Sequence, residues 1–414
     1  MQPINLYIFD ENSRASVYGI GTYLKELTLS LKNSIVHITV VHLCNAQSFK
    51  IEEIDGISHW YIPDAMEETL HLDFESRTKQ YYCNVKYLIQ IHMQKSHKLI
   101  FHFNFTKNMA LAETLRETFD CKLVFTIHYL DWCFGLFGNL TYFRDILTCQ
   151  EKDLDVGLKK SIIEPYHKEK ELFEKVDNII CLSVKTRQVL LDDYKINPAK
   201  TTVIYNGLTN KCPIAKKREL RKKYNIPSIP IFLFAGRLDN IKGVKYLLQA
   251  FKIVLDKQEE CHLIIAGSGS FDLYMKECED IWMNVTWTGL IDKAKLYDLY
   301  SIADVGLMPS LHEQCSYVAI EMMMHGVPLI ASTSTGLCEM VEDGVTGLHI
   351  PVIEHSDRVE IDIPLLAEKM LYLLKHPEER KRMGANARKR YEQLYTTEVM
   401  RKNMLNFYTT LYDT

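Results

Sequence analysis

Short apolar runs rich in β-branched and aromatic residues alternate with amphipathic segments along nearly the whole chain, and this alternation restricts the fold more than any other feature. Runs at 5–11 (NLYIFDE), 35–43 (IVHITVVHL), 99–105 (LIFHFNF), 122–128 (KLVFTIH), 178–183 (NIICLS) and 201–206 (TTVIYN) read as strands. Between most of them, as at 19–32, 79–95 and 184–194, apolar residues recur at the spacing of a helix with one buried face. Strand followed by helix, repeated, predicts a parallel sheet covered on both sides. The rhythm breaks at Asn210-Lys211-Cys212-Pro213 and the basic segment 215–224, then resumes at 231–236, 262–267, 285–289, 305–310, 328–332 and 347–352. The chain therefore reads as α/β, with two doubly wound domains of one architecture. Domains of this kind facing each other leave a cleft between the carboxyl ends of their strands, where open parallel sheets bind ligands.

A length of 414 residues agrees with two domains. The 49 basic residues are outnumbered by 53 acidic ones, so the basic excess of a nucleic-acid binder is missing. Eleven cysteines, scattered and without a CxxC pair, read as reduced thiols of a cytoplasmic protein. The start MQPINLYIFDENSR has no pattern of a secretory leader, and no window approaches the apolar length of a membrane span. Three N-x-T triplets, at Asn104, Asn139 and Asn284, carry no weight in such a setting. Asp153-Leu154-Asp155 satisfies D-x-D but lies in a charged helical stretch, and no metal is expected. Basic segments at 216–223 and 380–390 read as solvated helix faces, with peripheral contact at the inner face of a membrane left open.

Two constellations carry chemistry. In PSLHEQCSYVAIEMMMHGVPLIAS (309–332), a strand runs into a polar loop holding Glu313, a helix starts near Ser316, and Glu321 lies about one turn inside it. The free N–H groups of such a helix start suit a phosphate or hydroxyl, and carboxylates beside it accept paired hydrogen bonds from a sugar diol. The alternative is a solvated loop glutamate and a helix glutamate in a surface ion pair. In FAGRLDNIKGVKYLLQAF (234–251), Gly236 permits a turn after a strand, and Arg237 and Lys242 precede the helix that starts at Gly243. Two cations at a helix start form a diphosphate clamp, unless Arg237 holds a carboxylate and Lys242 is solvated.

These motifs resemble the family 4 retaining glycosyltransferases, enzymes of the GT-B fold with two Rossmann-like domains, and the likeness extends over almost the whole chain. The family's G-R-x3–4-K-G matches Gly236, Arg237, Lys242 and Gly243, and its E-x7-E matches Glu313 and Glu321. The resemblance implies a nucleotide-sugar donor, with Arg237 and Lys242 on the diphosphate, Glu313 on the transferred sugar and Glu321 on the ribose. Backbone of Ser316, Tyr317 and Val318 would meet the donor, although the family usually has glycine at the place of Ser316 and an aromatic residue at that of Cys315. IIAGSGS (264–270) is similar to the family's A-G-x-G turn and would bring Gly267 near the base, and TVIYNGL (202–208) to its V-I-x-N-G. Gly336 and Glu339 match its G-G-x-x-E, with Thr335 replacing one glycine. SVYGIGTYLKEL (16–27) resembles its glycine turn, so that Gly19 and Gly21 would let backbone approach the phosphates, and His128 matches a histidine facing the reacting sugar. Without that match, His128 reads as a structural residue. The loop 133–143, rich in aromatics and glycine, reads either as an acceptor flap or as a packed loop.

By the resemblance, domain one covers 1–210 on the acceptor side, domain two 211–395 on the donor side, and a helix in 396–414 crosses back to the first. No carboxylate is placed as a nucleophile, so the implied route is front-face attack assisted by the donor phosphate, with no cofactor and no metal. Three functions compete: a transferase using a nucleotide sugar, UDP-linked by preference, a GT-B sugar-nucleotide epimerase, and a non-catalytic subunit binding a protein partner. The intact Arg237, Lys242, Glu313 and Glu321 favour the first. Its acceptor, whether saccharide, lipid-linked saccharide, small molecule or peptide, is not encoded in any motif.

Overall fold

The computed structural model describes residues 3–11, 19–45, 48–64, 73–93, 98–149, 154–212, 216–257 and 260–412. The first sheet contains β1 (Ile4–Glu11), β2 (Val36–Leu43), β3 (Lys50–Ile54), β4 (Ile57–Tyr61), β5 (Leu99–Phe103), β6 (Lys122–Ile127), β7 (Asn178–Cys181) and β8 (Thr201–Val203). Their order is β3-β4-β2-β1-β5-β6-β7-β8, parallel except for the β3–β4 pair. The second sheet contains β9 (Ile231–Ala235), β10 (His262–Ala266), β11 (Val285–Gly289), β12 (Val305–Met308), β13 (Leu329–Ser332) and β14 (Gly347–Ile350), all parallel in the order β11-β10-β9-β12-β13-β14. β15 (Val352–Glu354) and β16 (Val359–Ile361) form a separate hairpin. Every residue of β5, β9 and β12 is buried, as strands covered by helices on both faces must be.

Strand order fixes where ligands can sit. In the first sheet the chain moves outward from β1 through β2 and then returns to place β5 on β1's other side. In the second it moves outward from β9 through β10 and β11, then places β12 on β9's other side. Helices leaving such a reversal go to opposite faces, and a crevice opens between them at the strands' carboxyl ends. The loops after β1, β5, β9 and β12 are therefore the ones that can build a site.

β3 and β4 are absent from the sequence reading, although Asp55-Gly56 between two short runs, KIEEI and ISHWY, is a hairpin signal. Both turn residues have positive φ, 54° and 74°, as a tight hairpin of this kind requires. β3 carries Lys50, Glu52 and Glu53, is exposed throughout, and forms a charged edge that discourages further pairing.

The chain passes between the halves twice, and the two passages touch. Leu208 N–H donates to Tyr395 O at 2.9 Å, and Tyr391 Oη donates to Leu208 O at 2.7 Å. The last helix, Thr397–Thr410, then packs on the first, Gly19–Leu31, and reaches the first sheet through Tyr412, whose hydroxyl donates to Leu99 O at 2.6 Å. Apolar burial is continuous here: one cluster contains Leu6 and Leu27 of the first half, Leu233 and Ile320 of the second, and Met404 of the last helix.

At this crossing Glu26, 3% exposed, accepts from Thr209 N–H at 3.0 Å, from Thr209 Oγ1 at 2.6 Å and from Thr397 Oγ1 at 3.0 Å. Glu26→Ala removes the acceptor shared by these three donors, of which the two threonine hydroxyls keep only each other at 3.0 Å, and is expected to lower stability by about 2 kcal/mol. Denaturant titration reads this as an earlier first transition, and an unchanged midpoint would show that the carboxylate does not tie the two passages.

Candidate functional site

The second half supplies a loop fixed from three sides. After β12 the chain runs through Pro309, Ser310 and Glu313 to Ser316, the N-cap of the helix Tyr317–Met324. Leu311 N–H donates to Ile241 O at 2.8 Å, Gly336 N–H donates to Glu313 O at 2.6 Å, and Asn206 Nδ2 donates to Cys315 O at 2.8 Å. Gly243, at φ 69°, caps the helix Val244–Asp256 against the same loop, and a Cβ there would stand 2.0 Å from Pro309 O. Only glycine permits that approach. Gly267 likewise packs on the carbonyl of Gly236, which a Cβ would meet at 1.8 Å.

These contacts bring Lys242 onto Glu313 as an ion pair, with side chains 17% and 14% exposed. Ser310 Oγ also donates to Glu313 at 3.3 Å. Arg237 lies beside Asp239 at 3.1 Å. Both cations expected at a diphosphate are therefore in carboxylate company, at the carboxyl end of β9.

Glu321, read in the sequence either as an acceptor for a sugar diol or as one member of a surface ion pair, is not at the surface. It lies in a helix buried nearly all round and has no exposed surface. Tyr300 Oη donates to Oε2 at 2.8 Å, while the Lys293 ammonium stands against Oε1 as an ion pair without hydrogen-bond alignment. Burial raises the Glu321 pKa, and Lys293 and Tyr300 oppose that rise. Lys293 and Tyr300 belong to the helix Lys293–Ile302 that follows β11, and neither was singled out in the sequence, because nothing in their spacing refers to residue 321. Ser316, Tyr317 and Val318 lie where the sequence puts them, at the helix start facing the Glu313 loop.

In the first half His128 follows β6 and is partly exposed. Its Nε2 lies 3.0 Å from Asn104 Oδ1 at the end of β5, and Tyr23 packs edge-on at 4.7 Å. Burial of most of the ring holds its pKa down at about 3. Gly19 and Gly21, read where the first helix opens, lie in the first turn of the helix Gly19–Leu31, and the space beside Gly19 is open. Residues 16–18 of that motif lie outside the described residues. So does Asp153, whereas Asp155 caps a helical turn by accepting from Leu158 N–H at 2.9 Å.

The loop 133–143 is packed and also bridging. Cys133, Leu136 and Phe143 are buried, Phe134 and Phe137 are exposed, and Asn139 Nδ2 donates across the halves to His355 O at 2.7 Å. Its start is held by Glu169, fully buried, which accepts from Asp131 N–H at 2.7 Å and from Tyr194 Oη at 2.5 Å. Glu339 joins the halves elsewhere, accepting from Val184 N–H at 3.0 Å and Tyr205 Oη at 3.0 Å. Among the described residues no group of three or more His, Cys, Asp or Glu is arranged to hold a metal ion, and no helix is long and apolar enough to cross a membrane.

The two doubly wound domains form the GT-B architecture, with the Lys242–Glu313 pair at the switch point of the second, and solved structures agree. Sucrose-phosphate synthase from Thermosynechococcus elongatus superposes with a TM-score of 0.76 at 21% identity, covering 99% of both chains. HepE of Anabaena, in complex with UDP and glucose, superposes at 0.72 with 14% identity, covering 98% of this chain and 100% of that one. A family model described as Glycosyl transferases group 1 matches residues 216–390, and one described as Glycosyltransferase Family 4 matches 17–209. The chain belongs to the glycosyltransferases of this group 1, family 4 type. Alpha-D-kanosaminyltransferase of Streptomyces kanamyceticus is 30% identical over 176 residues, 42% of this chain and 44% of that protein. The chain spans about half the length of such curated relatives.

Burial pushes the Glu169 carboxyl up to about 8, against about 4.5 in an unfolded chain. Between these values the native state holds a proton that the unfolded state has lost, so this group's contribution to stability falls as pH rises from about 4.5 to 8. Glu169→Gln cannot ionise and is expected to gain on the wild type across that interval. Melting curves of both proteins at pH 5 and pH 8 check this, and parallel pH profiles would overturn it.

Proposed function

We propose that this protein is a retaining glycosyltransferase that moves a sugar from a nucleotide sugar, UDP-linked by preference, to an acceptor hydroxyl without a metal. The observation that carries this reading is the Lys242–Glu313 pair beside Arg237 and the Ser316 helix start, at the carboxyl ends of adjacent strands. On binding, Arg237 and Lys242 turn from their carboxylate partners to the diphosphate, whose developing charge they stabilise as the sugar leaves. Glu313, freed of Lys242, holds hydroxyls of the transferred sugar, and Glu321 holds the ribose once Lys293 gives way. His128 faces that sugar from the other half. The acceptor enters on the leaving-group side, with its proton passing to the donor phosphate, because no carboxylate is read as a nucleophile on the opposite face. Closure of the halves excludes water and limits donor hydrolysis.

A nucleotide-sugar donor draws support from HepE, described with UDP and glucose, and from the kanosaminyltransferase among the relatives. TarM of Staphylococcus aureus, described with UDP and a saccharide, supports a saccharide as acceptor class.

A ligand that binds only the folded state raises the melting temperature. UDP is expected to raise it more than GDP or ADP, and EDTA to leave the shift unchanged. Glu321→Ala is expected to abolish the shift, while Glu313→Ala keeps it and loses turnover. A protein that no nucleoside diphosphate stabilises, or equal and negligible effects of both substitutions, would overturn the reading.

A further inference from the structure

We propose that Asn104 is a positioning residue that fixes His128 as its Nε2–H tautomer, so that Nδ1 is presented as a hydrogen-bond acceptor to a hydroxyl of the transferred sugar. The inference rests on the transferase reading for the identity of that hydroxyl, and on hydrogen-bond geometry for the tautomer.

Asn104 is 1% exposed and its amide has only one workable orientation. Its Nδ2 lies 3.3 Å from the carbonyl of Phe9, which can only accept, so the amide nitrogen must face Phe9. Turning the amide over would set two oxygens against each other. Oδ1 is therefore the atom 3.0 Å from His128 Nε2, and because Oδ1 cannot donate, Nε2 carries the proton. Burial keeps the ring neutral, with His102 nearby adding to the effect, so Nδ1 keeps its lone pair at working pH. Nδ1 has no hydrogen-bond partner among the described residues.

The ring is also held against rotation. Tyr23 meets it edge-on, and the Tyr23 hydroxyl is 3.2 Å from Thr126 Oγ1. Thr126 in turn lies 2.6 Å from His102 Nε2, and Tyr408 Oη of the last helix lies 2.7 Å from His102 Nδ1. The first helix, β5, β6 and the last helix thus meet around the His128 and His102 rings. A neutral ring with its proton directed inward can accept from a sugar hydroxyl, but has no proton to give on its Nδ1 side. Donor sugars lacking that hydroxyl are then selected against.

A long-range proton–nitrogen correlation spectrum of histidine-labelled protein reads which nitrogen of His128 is protonated. Nε2–H is expected in the wild type, and a mixture of tautomers in Asn104→Leu. In turnover, Asn104→Leu is expected to lower kcat about tenfold, the loss of one hydrogen bond, with the dissociation constant for UDP unchanged. Among single-deoxy analogues of the donor sugar, one should react about tenfold more slowly than the parent in the wild type and at the parent's rate in Asn104→Leu. Nδ1–H in the wild type overturns the proposal, as does a changed tautomer with unchanged kcat. If Asn104→Leu does not fold, the wild-type spectrum still decides the tautomer, and the analogue series in the wild type decides the hydroxyl. A wild type that binds no nucleoside diphosphate overturns the sugar-facing role together with the transferase reading, a result distinct from a wrong tautomer in a protein that binds UDP.

Discussion

Lys242 and Glu313 come from loops that follow neighbouring strands, and their ion pair exists only because two backbones touch beneath it. Gly243 lies so close to Pro309 that no Cβ fits between them. The same contact sets the direction of the helix Val244–Asp256 and, through the bond from Leu311 to Ile241, the path of the loop that ends in the Ser316 cap. Remove that approach and the cations after β9 no longer face the carboxylate after β12. Strand order supplies the location, since β9 and β12 flank the point where the sheet reverses. A local steric allowance at one glycine thus converts a general property of the fold into a specific charge constellation.

That constellation is already neutralised without ligand. Arg237 has Asp239, Lys242 has Glu313, and Glu321 has Lys293. Free energy of donor binding is then a difference between two sets of ion pairs, not the sum of new ones. The exchange is uneven. Arg237 and Asp239 are about one-third exposed, so parting them costs little, whereas Glu321 is wholly buried and parting it from Lys293 requires an immediate replacement. On the proposed reading, a ribose diol supplies two hydroxyl donors to that carboxylate and a diphosphate without a ribose supplies none, so the burial would favour a nucleotide over bare phosphate.

The twelve strands of the two parallel series, other than β4, were legible as short β-rich runs, most plainly where burial on both faces forces an apolar run, as in β5, β9 and β12. So were Arg237 and Lys242 in one strand-loop-helix unit and Glu313 and Ser316 in another, because spacing within such a unit is a local property. What was not legible depends on contacts distant in sequence. The burial of Glu321 is decided by Tyr300 and Lys293, twenty-one and twenty-eight positions away. Asn104, just after β5, earns its place from Phe9 on β1 and His128 just after β6. Glu339, read as part of a glycine motif, spends its carboxylate on the backbone of the opposite half. The β3–β4 hairpin is a different case, for its Asp55-Gly56 signal is local and was passed over.

The contacts between the halves are of two kinds. At the crossing, Glu26 and the Leu208–Tyr395 bond are buried, and breaking them exposes donors that the protein has withdrawn from water. At the cleft, Thr141 with Glu354 and Val184 with Glu339 are exposed polar bonds of the sort that water replaces at a cost of about 0–1 kcal/mol. Two cleft contacts, Thr186 to Gln314 and Asn206 to Cys315, are buried and lie next to Glu313 in sequence. The closure proposed above would draw on the exposed bonds first, since these are the ones water can replace. Gln314 and Cys315 directly follow the residue proposed for the sugar, so the buried contacts between the halves and the path of that loop are coupled through both of them.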